Sequence, residues 1–197
     1  PLPQDAQEAP GIKGTLSLDG PWHVLPATGV LAKLPTKGWG TTQVPGYWTP
    51  HGATLDPNGK PARGKWNGRP VAEFRVAYYQ RSFTVPADWQ GEGVLLQIGG
   101  VDGLAEIFLN GKRLAWLPSW EQESYDTGPL LRDGGRQNTL ALALHATGSA
   151  NVGIFGSVSL QSRARAFVRE PVVATSVAKR QIGFSCDLWN PGSETNA

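Results

Sequence analysis

The chain has 197 residues, with 18 basic and 16 acidic side chains interspersed to a formal charge of +2. That pattern leaves no basic stripe for a phosphate backbone or an anionic membrane surface, so neither nucleic acid nor membrane is an expected partner. The length allows one full domain plus part of another. Its 25 Gly and 16 Pro, scattered between short apolar runs, predict an all-β domain rich in turns.

No methionine occurs, so a processed or trimmed product is expected, and a removed signal peptide would leave no trace. The compartment stays open, with secretion or the periplasm favoured. The single Cys186 excludes an internal disulfide framework and a multi-cysteine metal site. Its place in the alternation Ile182, Phe184, Cys186, Leu188 predicts a buried free thiol.

In chain order, residues 1–14 carry three Pro and no apolar period, and read as an extended arm. Leu16 and Leu18 predict a first strand, Asp19-Gly20-Pro21 a turn, and Trp22 and Val24 a second strand. Residues 49–75 form a long polar connection, of the kind usually functional or mobile, and contain Trp66, an aromatic with no evident core partner. Strands are predicted at 77–85, 93–99, 105–109 and 112–117. Asn110-Gly111 is the strongest hairpin signal, because a type I′ turn needs positive φ at both central residues. The alternation of Ala105, Ile107 and Leu109 points one face inward and leaves Glu106 and Phe108 on the other. Leu140, Leu142 and Leu144 repeat the device, as do Val158 and Leu160, and Asp126 is placed as the cap of a short helical turn. Eight or more short strands without a helical period predict a two-sheet jelly roll. A further strand pair follows at 172–177 and 182–189.

Several motifs in that order, from the run beginning Tyr78-Tyr79-Gln80-Arg81 through Gly100-Val101-Asp102-Gly103 and Asn110-Gly111 to Tyr125-Asp126-Thr127-Gly128, resemble the amino-terminal sugar-binding domain of family-two glycoside hydrolases. Ser17-Leu18-Asp19-Gly20 before Trp22, and Val44-Pro45 before Trp48, are similar to further segments of that domain. The resemblance implies a galactose-binding-like jelly roll over residues 15–167, followed at 168–197 by the truncated start of an immunoglobulin-like sandwich. Two strands cannot close a core that takes about seven, so the tail is expected to be truncated, swapped or docked.

The resemblance further implies a non-catalytic module, since the family's two catalytic glutamates belong to a later barrel. A retaining glycosidase needs two carboxyl groups about 5–5.5 Å apart, and the adjacent loop acids Glu121 and Glu123 are better read as a solvated surface. The expected partners are carbohydrate and the remaining domains of the parent hydrolase, with the oligomeric state open. Asp102 stands where the family places a residue that hydrogen-bonds the terminal sugar, and its alternative reading is a turn-closing residue that bonds backbone amides.

Sugars stack their CH faces on aromatic rings. Trp66, Trp116 and Trp120, at strand ends or in loops, are the candidate platforms with Glu121 beside them, while Trp22, Trp39 and Trp48 are assigned to the core. The family's Gly-Ile-x-Arg-x-Val reads Gly153-Ile154-Phe155-Gly156-Ser157-Val158 here, so the Arg that ties this strand to its neighbours is replaced by Gly156. That departure implies a divergent branch. His23, His51 and His145 are too dispersed for a predicted metal triad, no dinucleotide, Walker or Ser-His-Asp pattern occurs, and no cofactor is expected. Two other readings stay open: a free-standing carbohydrate-binding module, and a protein-interaction jelly roll.

Overall fold

The computed structural model describes residues 12–47, 54–62, 64–146, 152–163 and 167–189. Their strands are β1 (Ile12–Ser17), β2 (Gly20–Ala27), β3 (Gly40–Val44), β4 (Gly46–Tyr47), β5 (Lys65–Trp66), β6 (Arg69–Pro70), β7 (Val76–Thr84) and β8 (Gly93–Ile98). There follow β9 (Leu104–Leu109), β10 (Lys112–Leu117), β11 (Glu123–Asp126), β12 (Gln137–His145), β13 (Gly153–Ile154), β14 (Val158–Arg163), β15 (Phe167–Ser176) and β16 (Gln181–Trp189). The helical content among the described residues is three single 3₁₀ turns.

Two antiparallel sheets form the body. One has the order β1-β14-β8-β11 and the other β10-β9-β12-β7-β2-β3. Alternation decides which side chains meet between them. Ala105, Ile107 and Leu109 of β9, Leu140, Leu142 and Leu144 of β12, Leu96 and Ile98 of β8, and Val158 and Leu160 of β14 are all at most 1% exposed and join one core. Each fully buried aliphatic side chain contributes about 1.5–3 kcal/mol, so the paired faces are what hold the sandwich closed. Trp22 lies at the centre of this core, its indole N–H donating to the Leu18 carbonyl at 2.8 Å. The polar group of a large apolar ring is thus satisfied without leaving the interior.

The predicted turn between β9 and β10 forms as expected, with Asn110 at φ 53° and Gly111 at φ 80°. Asn110 Oδ1 accepts from Thr139 N–H at 3.0 Å, and its Nδ2 donates to Asn138 Oδ1 at 2.8 Å. Asn138, fully buried, donates in turn to the Arg132 and Arg136 carbonyls. The hairpin tip is therefore tied to the start of β12 through side-chain amides. Asp126 Oδ1 accepts from Gly128 N–H at 3.0 Å at the head of the 128–130 turn.

Four expectations need correction. Strand β1 begins at Ile12, inside the expected arm, because it pairs with β14 from Ile12 opposite Arg163 to Ser17 opposite Ser159. The polar connection is folded along β3: Leu55 bridges Thr41 and Pro61, and Thr42 and Thr54 share a buried hydroxyl hydrogen bond of 2.7 Å. Trp66, taken as an aromatic without a core partner, is only 5% exposed and belongs to the main core. Its ring fills the space that a Cβ on Gly40 would need, 2.4 Å away. Cys186 is exposed instead of buried, because β15 and β16 pair only with each other and have no second sheet over them among the described residues. Trp39 packs, half-buried, on a small cluster outside the main core, while Trp48 and His51 lie outside the described residues.

Candidate functional site

At one end of the sandwich the β8–β9 connection, the β10–β11 connection and the residues around β13 converge. Their approach is close because glycines line it. A Cβ on Gly156 would lie 2.1 Å from the Gly99 carbonyl carbon, and one on Gly153 would lie 2.4 Å from the Gly46 carbonyl oxygen. Gly99 N–H donates to Ser157 O at 2.9 Å and Gly156 N–H to Gly100 O at 3.1 Å. The position where the family carries Arg is thus a backbone crossing that admits no side chain.

Asp102 sits in this crossing. Its N–H donates to Gly153 O at 2.8 Å and its carbonyl accepts from Gly153 N–H at 3.3 Å. The residue is 4% exposed. Next to it, Gly103 N–H donates to Ser119 Oγ at 3.0 Å, and Trp120 N–H donates to Val101 O at 2.9 Å. These bonds hold Trp120 at φ 67°, a left-handed conformation that costs a non-glycine residue about 1–2 kcal/mol. The reward is placement of the ring. Trp120 stands 67% exposed with its inner side against Phe155, centroids 4.9 Å apart and planes at 37°. Phe155 in turn lies 6.3 Å from Tyr47 at 24°. The three rings form a graded platform, from half-buried Tyr47 and Phe155 to the open indole of Trp120.

Trp116 belongs to a separate group on the outer face of the six-stranded sheet. It is 44% exposed, 6.1 Å from the His145 ring, with the Arg113 guanidinium 5.9 Å from its centroid. Glu106 joins them: His145 Nε2 lies 3.2 Å from Glu106 Oε1, and Arg113 is 3.9 Å from Oε2. Tyr125 Oη donates to the Trp116 carbonyl at 3.1 Å. Burial, then the neighbouring Glu123, pushes its phenol up to about 12. Glu121 is exposed in the turn after Pro118.

Of the predicted residues, the structure brings Asp102 and Trp120 together, sets Trp116 four residues back on another face, and removes Trp66 to the core. Phe155 and Tyr47 were missed. Phe155 between Ile154 and Gly156 was a legible signal, since an aromatic beside a glycine crossing has little room except against its neighbours. Among the described residues no three His, Cys, Asp or Glu side chains converge as a metal site.

Two antiparallel sheets closed over one core, with an aromatic loop end, define a galactose-binding-like β-sandwich. Over residues 65–188 the sequence matches the family described as glycosyl hydrolase 2 galactose-binding domain-like, and the chain belongs to it. The fold is similar to part of the β-glucuronidase of Faecalibacterium prausnitzii, with TM-score 0.70 and 17% identity over 95% of this chain and 37% of that one. It is likewise similar to that of an uncultured Clostridium, with TM-score 0.67 and 16% identity over 92% and 34%. For the Bifidobacterium dentium enzyme complexed with coumarin-3-O-glucuronide, the values are 0.62 and 19% over 86% and 33%. The chain spans about a third of the length of these enzymes. No curated protein matches its sequence.

Proposed function

We propose that this chain is the amino-terminal, non-catalytic module of a family-two glycoside hydrolase, buttressing the catalytic barrel and supplying one wall of its sugar site. The parent cleaves O-glycosidic bonds of carbohydrate with carboxyl groups of another domain. A β-glucuronide is the first substrate to try, since the structural neighbours above carry that activity in their names. The observation that carries the reading is the Trp120 ring, held open over Phe155 by a strained backbone at the crossing that also contains Asp102. An exposed indole kept at a conformational cost suits a stacking surface. The outward ribbon β15–β16 is where the module continues into a second sandwich: Val172, Ile182 and Phe184 are 56%, 77% and 64% exposed, as strands awaiting a facing sheet would be.

The test uses the full-length enzyme. Trp120→Ala should lower kcat/KM by about tenfold, the equivalent of one contact of about 1.4 kcal/mol, while stability falls only by about 0.5–1.5 kcal/mol for the lost contact with Phe155. Unaltered kcat/KM would defeat the proposal. Asp102 separates direct contact from positioning. Burial of Asp102 at 4% makes the alanine variant costly to the fold. Asp102→Asn keeps the volume. A tenfold to hundredfold fall in kcat/KM in that variant, from a charge-assisted bond of about 1.5–3 kcal/mol, marks a sugar contact. A loss of stability with turnover intact marks a turn-closing residue.

A further inference from the structure

A second opening lies on the outer face of the six-stranded sheet, away from the loop end. The register of β2 and β7 sets His23 opposite Gln80. Both side chains leave on the outer face because their neighbours Trp22, Val24 and Tyr79 enter the core. The connection between β2 and β3 then crosses above them. It is anchored by Leu31 N–H donating to Tyr78 Oη at 2.7 Å, and by Leu34 and Trp39 packing on Leu25, Ala27, Val76, Tyr78 and Ala143. Beside it is a cavity open to solvent, of about 490 Å³, lined by His23, Leu34, Pro35, Thr36, Trp39 and Gln80, its volume within the roughly 300–1,000 Å³ of small-molecule sites.

The lining has two halves. Trp39, Pro35 and Leu34 form an apolar side, and the Trp39 indole N–H is already spent on the Pro35 carbonyl at 2.8 Å, which leaves its ring face as the available surface. His23, Gln80 and Thr36 form the polar side, and each of these groups can both donate and accept. Among the described residues no carboxylate, Lys or Arg lines the cavity. A phosphate, carboxylate or ammonium ligand would therefore enter without a counter-charge. A sugar ring with one apolar CH face and vicinal hydroxyls meets both halves.

We propose that this cavity is a second saccharide site, taking one neutral sugar unit of a glycan, with Trp39 as the stacking surface and His23, Gln80 and Thr36 as hydroxyl partners. It is independent of the loop end. It opens on the outer face above β2 and β7, whereas the loop end is built from the β8–β9 and β10–β11 connections, β13 and β4, and none of its six lining residues belongs to the Tyr47–Phe155–Trp120 platform.

The purified chain is titrated by NMR with D-glucose, D-galactose, D-mannose, cellobiose and xylobiose at millimolar concentrations. At least one should give saturable shifts at the Trp39 indole N–H, the His23 ring and the Gln80 side-chain amide. Trp39→Ala and Gln80→Ala should each weaken that binding on the order of tenfold, and Trp120→Ala should leave it unchanged. Gln80→Ala tests the site without disturbing the packing of Trp39. D-glucuronate should bind more weakly than D-glucose. The inference is overturned if none of the five sugars produces saturable shifts at these residues, if both cavity variants bind as the parent does, if binding is lost only in Trp120→Ala, or if glucuronate binds as tightly as glucose. Because the loop-end reading is tested by turnover of Trp120→Ala in the full-length enzyme, either site can fail without the other.

Discussion

Tyr79 is the largest polar side chain in the interior whose hydroxyl has no hydrogen-bond partner among the described residues. An orphaned buried hydroxyl costs about 1–3 kcal/mol of desolvation, so Tyr79→Phe should raise stability by about 1 kcal/mol in urea unfolding. The same burial pushes the phenol up from 10.0, and Tyr125 is pushed up to about 12. Both folded values exceed the unfolded one, so above pH 10 the native state holds more protons than the unfolded chain. Stability is therefore level below pH 10 and falls as pH rises through the folded values. Tyr79→Phe should make that alkaline decline shallower; a decline of equal slope in both proteins would show that Tyr79 takes no part in it. Gly156 gives a steric counterpart. Gly156→Ala would drive a Cβ to 2.1 Å from Gly99 and 2.5 Å from the Gly100 nitrogen. It should destabilise the fold by about 1–3 kcal/mol, seen as a lower urea midpoint.

Among the elements, what was legible in the sequence is what local chemistry decides. Asn110-Gly111 specifies its turn through two positive φ values, and the alternation in β9 and β12 specifies which face is buried. Pairing between distant segments was not legible. Nothing local to Trp66 announces that Gly40 leaves a space for its ring, and nothing around 28–39 announces that this connection covers Tyr78. Cys186 was misread for the converse reason: alternation marks a face to be covered, but not whether the cover lies within the same sheet pair. At the candidate site, Asp102 could be picked out by the family resemblance of its segment and Trp120 by residue type, whereas their union with Phe155 depends on the Gly99–Gly156 crossing. The ribbon β15–β16 carries a test of its own. Its described backbone pairing is internal, so removing residues 168–197 should leave the melting temperature of the sandwich unchanged and reduce self-association in light scattering, by deleting the exposed Val172, Ile182 and Phe184. Unfolding on deletion would instead make the ribbon part of the core.

For the whole molecule, the division of labour proposed above predicts that the purified chain does not hydrolyse aryl β-glycosides. Turnover that survived further purification and was lost on replacing Glu121 or Glu123 would place the chemistry here after all. A different consequence follows from the pairing of β1 with β14. The four-stranded sheet is completed by residues from opposite ends of the sandwich: Leu18 N–H donates to Val158 O at 2.8 Å, and Asp19 Oδ1 accepts from Val158 N–H at 2.8 Å across 139 residues of sequence. During synthesis β1 has no partner in this sheet until β14, on the far side of the sandwich sequence, follows it. Closure of so long a loop is a late and slow event in folding, and until it happens β14 offers an open edge. The nascent chain is consequently most vulnerable to strand exchange with a neighbour at the moment when almost all of its core residues have already been made.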